Sequence, residues 1–456
     1  MQTPSYLHLL AAFLLLSGVS HAEMPTKWKT SASGITDARV ADAANWWGLF
    51  NDKTLIQVIG GLDLTTPQLA VAVQRVEQAR AGVTQARSEL FPTISASFGG
   101  GRSQLSQSTV TALPIRTANQ WDAGVTASYE VDLWGRIRHN VRSARAAVLA
   151  NEKAVEALRL SLRAEVADAY ITLRGVEAEL GIVEQALVTR KKNLELTQQR
   201  KTAGAGSDLE VEQARTDLLA AGVEVSALKQ GRMELENIIA LITGQNASNY
   251  RLPVTGRLPR VPTLPRVVPS ELLRRRPDIA EASHRIESAL GQVKAARTAW
   301  LPSLHLQAGA GSSAERFSGL DDEAARAGTI GFSFSLPLFD GGRRRAALDA
   351  AKASHQKGVE QQRQIILAAV ADAESALGKV YWGREQHAQA AASAEAAARS
   401  ASLISSKFAA GGVDTFQQLL AERLRLDAAR LKVQTQTAEL RSVVALIRAL
   451  GGGWNH

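Results

Sequence analysis

Two hydrophobic periods alternate along this chain, and the alternation occurs twice. From Trp121 the odd positions Trp121, Ala123, Val125, Ala127, Tyr129, Val131 and Leu133 are apolar or aromatic, while Asp122, Gly124, Thr126, Ser128, Glu130 and Asp132 fill the even ones. A period of two predicts a strand with one apolar and one polar face. Further on, Ile330, Phe332, Phe334, Leu336 and Leu338 alternate in the same way with Thr329, Gly331, Ser333, Ser335 and Pro337. A weaker partner precedes each. Ile94, Ala96 and Phe98 stand against Thr93, Ser95 and Ser97, and Leu304, Leu306, Ala308 and Ala310 stand against Ser303, His305, Gln307 and Gly309. Polar residues 99–118 and 311–327, rich in Gly and Ser, join the members of each pair, which predicts β-hairpins over 93–133 and 303–338.

The period then changes to that of a helix. Val155, Leu158, Leu162, Val166, Ala169, Leu173, Val176, Leu180, Val183 and Leu187 are spaced three and four apart, the seam of a heptad repeat. No proline interrupts residues 140–202, and at about 1.5 Å per residue such a helix extends roughly 95 Å. Residues 344–408 form a second proline-free stretch, Ala-rich and so suited to close helix approach. Each ends at a glycine turn, Gly204 and Gly206 or Gly411, Gly412 and Val413, after which Asp208 or Asp414 stands where a returning helix begins. Long helical hairpins over 140–243 and 344–450 are predicted. Shorter helices precede the strands, over 67–90 and 277–300, the second opening with Pro277 in its first turn and Asp278 at its amino terminus.

The chain is therefore built twice. RSELFPTISASFGGG at Arg87 returns as RTAWLPSLHLQAGAG at Arg297, VDLWGRIR at Val131 as LPLFDGGRR at Leu336, KTAGAGSD at Lys201 as KFAAGGVD at Lys407, and ALITG at Ala240 as ALIRALG at Ala445. So long a period marks a duplicated unit rather than a solenoid. The first repeat occupies 23–250 and the second 270–456. Between them, residues 251–269 carry Pro253, Pro259, Pro262, Pro265 and Pro269 and read as an extended linker.

Composition narrows the class. Aromatics make up only 5% of the 456 residues, while the long middle stretches are rich in Ala, Leu, Glu and Arg, which favours extended helices. The absence of cysteine removes disulfides, thiolate sites and an amino-terminal lipidated cysteine. A net charge of +9 could suit nucleic acid or an anionic membrane; the arginines, however, are spread through helical segments beside Glu and Asp, which favours a solvated, salt-bridged exterior. Residues 7–19 form an apolar run followed by Ser20, His21 and Ala22, the pattern of a signal peptide over 1–22, although no Lys or Arg precedes it and a short buried helix is the other reading.

Strands of this length, tilted, reach across a bilayer as part of a β-barrel, with Trp121, Trp134, Trp300 and Phe339 placed for interfacial girdles. Four strands cannot close a barrel when about eight are needed even for a filled one. A membrane reading thus requires several chains to share one barrel; a soluble sandwich is the alternative, without a second sheet in the sequence to cover the apolar face.

YEVDLWGRIR from Tyr129, LLRRRPDI from Leu272, LPLFDGGRRRA from Leu336 and the closing ALGGGW from Ala449, collinear with the duplication, resemble the TolC-type outer membrane efflux proteins, in particular the NodT subfamily. The resemblance covers nearly the whole chain beyond residue 22. It implies an α+β membrane protein and a homotrimer, in which each protomer gives four strands to a 12-stranded outer-membrane barrel continued by a periplasmic α-barrel. It further implies a periplasmic adaptor protein and an inner-membrane pump as partners, outer membrane lipid around the strands, and no nucleic acid. The family's matching tip segments bear the entrance constriction, which implies Asp414 and Asp208 as gate residues and Gly204, Gly206, Gly411, Gly412 and Val413 as adaptor contacts. Many relatives carry a lipobox cysteine that this chain lacks, so no lipid anchor is expected.

Conduction rather than catalysis is the expected chemistry. The eight histidines lack HExxH spacing, no phosphate-binding loop is present, and neither a metal nor a cofactor is called for. A ring of carboxylates at an entrance favours cations, while an Asp just after a glycine turn is equally a helix cap. Type I protein secretion remains an alternative within transport. A periplasmic adaptor would not need two strand pairs, and a soluble coiled-coil scaffold or nucleic-acid-binding protein would leave the strands unexplained.

Overall fold

Asp132 ends one period and starts the other. In the computed structural model, which describes residues 43–62, 66–104, 117–262 and 275–452, strand β2 (Thr117–Val131) stops one residue before it. Its carboxylate then accepts the backbone N–H groups of Ile137 (3.1 Å) and Arg138 (3.0 Å) at the start of helix α3 (Arg136–Thr202). Gly135, at φ 81°, turns the chain between them. The second repeat reaches the same end with other letters. Asp340 accepts the N–H groups of Gly342 and Arg344, both at 3.1 Å, before helix α6 (Arg343–Ala409). Strand β4 (Arg326–Ser335) ends short of Leu336 and Leu338, because Pro337 has no N–H to continue the ladder. Burial alone would raise the Asp132 carboxyl, but the N–H groups and guanidinium of Arg138 hold it below its ordinary value. The Arg344 guanidinium does the same for Asp340.

The chain folds into two compact units, and each draws on both repeats. One comprises residues 72–153 and 280–363. It holds β1 (Thr93–Gln104), β2, β3 (Ser303–Ala314) and β4 in a single antiparallel sheet ordered β1-β2-β3-β4. It also holds most of α2 (Pro67–Ser88) and of α5 (Pro277–Thr298), and the first turns of α3 and α6. The register aligns the apolar positions of all four strands in rows across one face. Val131, Leu304 and Phe334 form one row, then Tyr129, Leu306 and Phe332, then Ile94, Ala127, Ala308 and Ile330, then Ala96, Val125, Ala310 and Gly328. Ser95, Thr126 and Gly309 in one row, and Glu130, His305 and Ser333 in another, show the polar character of the opposite face. Among the described residues nothing covers the inner rows of the apolar face: Ile330 is 91% exposed and Phe332 75%. At the helix end of the strands, Arg136 forks onto Glu130 (2.9 and 3.0 Å) and reaches Glu89 (3.1 Å), Trp134 donates to the Pro302 carbonyl (2.7 Å), and Arg344 stacks over Trp300. Gly291 lets α5 approach α3, since a Cβ there would lie 2.8 Å from that of Ser143.

The other unit comprises the described residues up to Val71, residues 154–279, and Gln364 onward. Here α3 pairs with α4 (Asp208–Ile242) and α6 with α7 (Thr415–Ala449). The two copies match in length, 67 residues for each outgoing helix and 35 for each returning one. Leu162, Val166, Leu173, Leu180 and Val183 of the heptad seam are buried. Around Tyr170, however, α3 is covered on nearly every side, by Trp46, Trp47 and Phe50 of a 3₁₀ segment (Ala43–Phe50), by α1 (Lys53–Gly60), and by Leu440, Val443 and Ile447 of α7. Helix α7 comes so close that a Cβ on Gly175 would stand 2.5 Å from the Thr437 hydroxyl.

An ion network at this level fastens the segment following α4. Arg174 and Glu177, both with fully buried side chains, pair at 2.7 Å. Arg174 also donates to the Pro253 carbonyl (2.7 Å), and Glu177 accepts the N–H groups of Thr255 (3.1 Å) and Gly256 (3.2 Å). Arg232 on α4 bridges Glu177 (3.0 Å), Glu236 (3.1 Å) and the Leu252 carbonyl (2.8 Å), while Glu236 accepts the Leu252 N–H (2.9 Å). Arg174 stacks on Tyr170, whose hydroxyl donates to Asp52, and Asp52 in turn caps α1. Burial pushes the Tyr170 hydroxyl up to about 12.

Arg174→Ala leaves Glu177 with Arg232 as its remaining cation but removes the donor to the Pro253 carbonyl and one arm of a buried pair, so it should cost about 2–3 kcal/mol in a urea titration of the purified protein. Burial would raise the Glu177 carboxyl, yet the Thr255 N–H and Arg174 hold it below its ordinary value. Its stabilisation is therefore complete above the ordinary carboxylate range and is lost as pH falls through the lowered folded value. Glu177→Gln should flatten the acid limb of a melting-temperature profile between about pH 6 and 3, and an unchanged limb would remove Glu177 from it. Gly175→Val should lower the melting temperature through overpacking against Thr437, with the loss reduced when combined with Thr437→Ala.

Candidate functional site

The tips of the two helical hairpins are folded by the same device. After α3, the N–H groups of Gly204 and Ala205 return to the carbonyls of Lys201 (2.9 Å) and Arg200 (2.8 Å); after α6, those of Gly411 and Gly412 return to Phe408 (3.0 Å) and Lys407 (2.8 Å). Gly204 (φ 78°) and Gly411 (φ 74°) take the left-handed conformation that closes a helix in this way. The structural equivalence runs at 207 positions, joining Gly204 to Gly411 and the helix starts 136 and 208 to 343 and 415. The letter match of KTAGAGSD to KFAAGGVD runs at 206 and is out of step by one.

That single step changes the roles of the two aspartates. Asp414 is the N-cap of α7, its carboxylate accepting the Gln417 N–H at 2.8 Å. Its counterpart in the first hairpin is Ser207, which makes a reciprocal capping box with Glu210. Asp208 is instead the first residue of α4, with its side chain 84% exposed and paired with the Lys201 ammonium. The sequence places Asp208 and Asp414 as equivalents; the fold gives them different jobs. Gly206 and Val413 differ as well. A Cβ on Gly206 would come within 3.0 Å of the Lys201 nitrogen and 3.2 Å of the Glu210 carboxylate, whereas the second tip accommodates the valine.

A side chain links the tips: Arg200 of the first hairpin donates to the Thr415 hydroxyl of the second at 3.1 Å. Thr415 follows the Asp414 cap directly, so Arg200 holds the end of α3 against the start of α7. Behind this link lies a cavity of about 520 Å³ between the hairpins, with Arg190, Asn193, Leu209, Phe416, Leu420 and Arg423 among its lining. Leu209 and Phe416 remain about two-thirds exposed or more. Further along, Arg430 of α7 reaches Glu224 of α4 (3.0 Å) and Glu179 of α3 (3.6 Å). Polar and charged links of this kind, rather than a deep apolar core, join the hairpins here. Among the described residues no His, Asp and Glu are grouped to hold a metal, and no helix is long and apolar enough to cross a membrane. The arrangement offers a charged rim, glycine turns and a polar seam. Sequence reading missed Ser207 and Arg200, although the S-x-x-E spacing from Ser207 to Glu210 was a capping-box signal.

The comparisons with known proteins agree with this architecture. A family model described as outer membrane efflux protein matches residues 62–245 and 268–452, one match per repeat. The pyoverdine export outer membrane protein OpmQ of Pseudomonas aeruginosa is 31% identical, over 98% of this chain and 97% of its own. The toluene efflux pump outer membrane protein TtgI of Pseudomonas putida is 29% identical, over 97% of each. The solved structure of the outer-membrane channel OprN superposes with a TM-score of 0.86 at 30% identity, covering 96% of this chain and 99% of that one. Long paired helices, a four-stranded sheet with one bare apolar face, and family matches over both repeats establish that the chain belongs to the outer membrane efflux protein family.

Proposed function

We propose that the chain is the outer-membrane channel of a tripartite efflux system, passing substrates from an inner-membrane pump and its periplasmic adaptor to the exterior. The observation that carries this reading is the sheet. Four strands present an apolar face from the row of Val131 to that of Val125, with both edges, β1 and β4, unpaired among the described residues. In a bilayer every backbone polar group must be satisfied internally, so an open edge is excluded. Pairing β4 of one protomer with β1 of the next removes both edges, and three protomers of four strands give a 12-stranded barrel wide enough for water. Each β2 and β4 leads within a few residues into a long helix, so the same symmetry continues the barrel as a wall of helices. Transport is then passive, and energy comes from the pump. Names of relatives that include pyoverdine and toluene export support small organic molecules as the cargo.

The entrance lies at the hairpin tips. Three copies of Asp414 ring it with carboxylates, which favour cations. Asp208 adds less because Lys201 neutralises it. Exposed Gly204, Gly411 and Gly412, with half-buried Gly206 and Val413, form the turns on which an adaptor docks, and closure depends on contacts such as Arg200 to Thr415.

Native mass of the detergent-extracted protein, followed by planar-bilayer recording, should give a trimer with discrete conductance steps; a monomer or dimer without conductance would overturn the shared barrel. Substitutions separate the two roles of Asp414. Asn caps a helix about as well as Asp, so Asp414→Asn should lower cation selectivity at nearly unchanged stability, whereas Asp414→Ala should also remove about 1 kcal/mol of helix capping and raise the open fraction. Unchanged ion selectivity in Asp414→Asn would leave Asp414 as a cap alone.

A further inference from the structure

The apolar face of the sheet does not end in plain polar residues at its outer end. Followed away from the helix starts, the apolar rows give way to Phe98, Ala123, Ser312 and Arg326, then to Gly100, Trp121 and Ala314, then to Arg102 and Asn119. Strand alternation places Arg102 and Arg326 on the same face as Phe98, Ile330 and Phe332, the face read here as turned to lipid. Between them sits an aromatic cluster. Phe98 and Trp121 have ring centroids 6.0 Å apart, and Phe317, from the connection between β3 and β4, packs edge-on against both, at 6.1 and 5.5 Å. Gly100 makes room for it, since a Cβ there would stand 2.6 Å from the Trp121 ring. Both arginines are exposed, and among the described residues neither has an ion-pair partner.

Their heights are informative. Successive rows on one face are about 6.8 Å apart along a strand. From the row of Val131 to that of Arg326 is four steps, about 27 Å along the strand, or roughly 20 Å of height at a tilt near 40°. Arg102 is two rows further, at roughly 30 Å. The apolar band of a membrane barrel is about 25 Å tall, so the two guanidinium groups bracket its outer boundary. Long arginine side chains lay their stems on apolar surface and carry the charge out to the headgroups.

We infer that Arg102 and Arg326, with the Phe98–Trp121–Phe317 cluster between them, form a docking surface for the phosphate groups of an outer-leaflet glycolipid, the diphosphoryl lipid A class. A guanidinium without a carboxylate partner, held at headgroup height, matches a phosphate in charge and in its forked donor geometry. The aromatic rings form the flat apolar shelf on which the acyl chains lie. Glu315, Asp321, Asp322 and Glu323 belong to the loop between β3 and β4, not to the strand face, and pair with neither arginine. The two arginines lie on the two edge strands, β1 and β4. Where β4 of one protomer pairs with β1 of the next, the two arginines come onto neighbouring strands, and the two phosphates of one lipid, rather than a single phosphate, would engage them.

The inference rests on the reading that this sheet lies in the outer membrane, and the test keeps the two apart. The full-length protein, its Arg102→Gln/Arg326→Gln variant and the corresponding double lysine variant are reconstituted into phosphatidylcholine vesicles doped with diphosphoryl or dephosphorylated lipid A. Insertion is read by flotation, and bound lipid by native mass. The wild type should insert into every vesicle and prefer the phosphorylated lipid about tenfold; the glutamine variant should insert equally well with that preference reduced below about twofold, and the lysine variant should retain an intermediate preference. Equal preference in wild type and glutamine variant overturns the lipid site while leaving the barrel intact. Failure of the wild type to insert even into undoped vesicles overturns the membrane reading and this inference with it.

Discussion

Hydrogen bonds that the chain cannot make for itself organise everything else. Among the described residues, the four-stranded antiparallel sheet leaves the outer N–H and C=O groups of β1 and β4 unpaired, and its apolar face has no second sheet or helix to cover it. In water this is an aggregation hazard; in lipid, an isolated copy is forbidden. The polar connections, the strand lengths and the immediate handover to capped helices at Asp132 and Asp340 all fit a sheet that is one part of a larger cylinder. The charged clusters at the strand ends, such as Arg136 with Glu130 and Glu89, then serve to set strand and helix at a fixed angle where the environment changes from lipid to water.

The two compact units solve different packing problems. The sheet unit buries little and is finished by its surroundings. The helical unit carries its own core around Tyr170, built from short elements near residue 50, from both outgoing helices and from α7. A helix crossed on nearly all sides cannot bend there, and the Arg174–Glu177 pair fixes the chain between the repeats to the same spot. Toward the tips the contacts between the hairpins become polar and ionic, with half-buried Arg430, Glu224 and Glu179 as an example. The large apolar cluster thus lies at the Tyr170 level, and the tips are joined by polar contacts.

Much of this was legible in the letters. The strands declared themselves because a face turned to lipid and a face turned to water impose a strict period of two, and the long helices did so through the Val155 to Leu187 seam. Three things were not. The segment at 43–62 is too short and aperiodic to announce that it packs on α3. Arg174 and Glu177 read as two more helix charges, because their partners Pro253, Thr255 and Gly256 are nearly 80 positions away. At the tips, small residues match in more than one alignment. Only the backbone hydrogen bonds reveal that Ser207, not Asp208, is the counterpart of Asp414.

The equal lengths of the repeated helices have an evolutionary consequence. With 67 residues out and 35 back in both copies, and Arg200 reaching Thr415 only because the tips end at the same level, an insertion in one hairpin alone would push its tip past the other. Lengthening is tolerated only when both copies change together and by whole turns of the seam. The duplication that made the protein therefore also locks its span: point substitutions can diverge freely between the halves, whereas changes in length must be inherited in pairs.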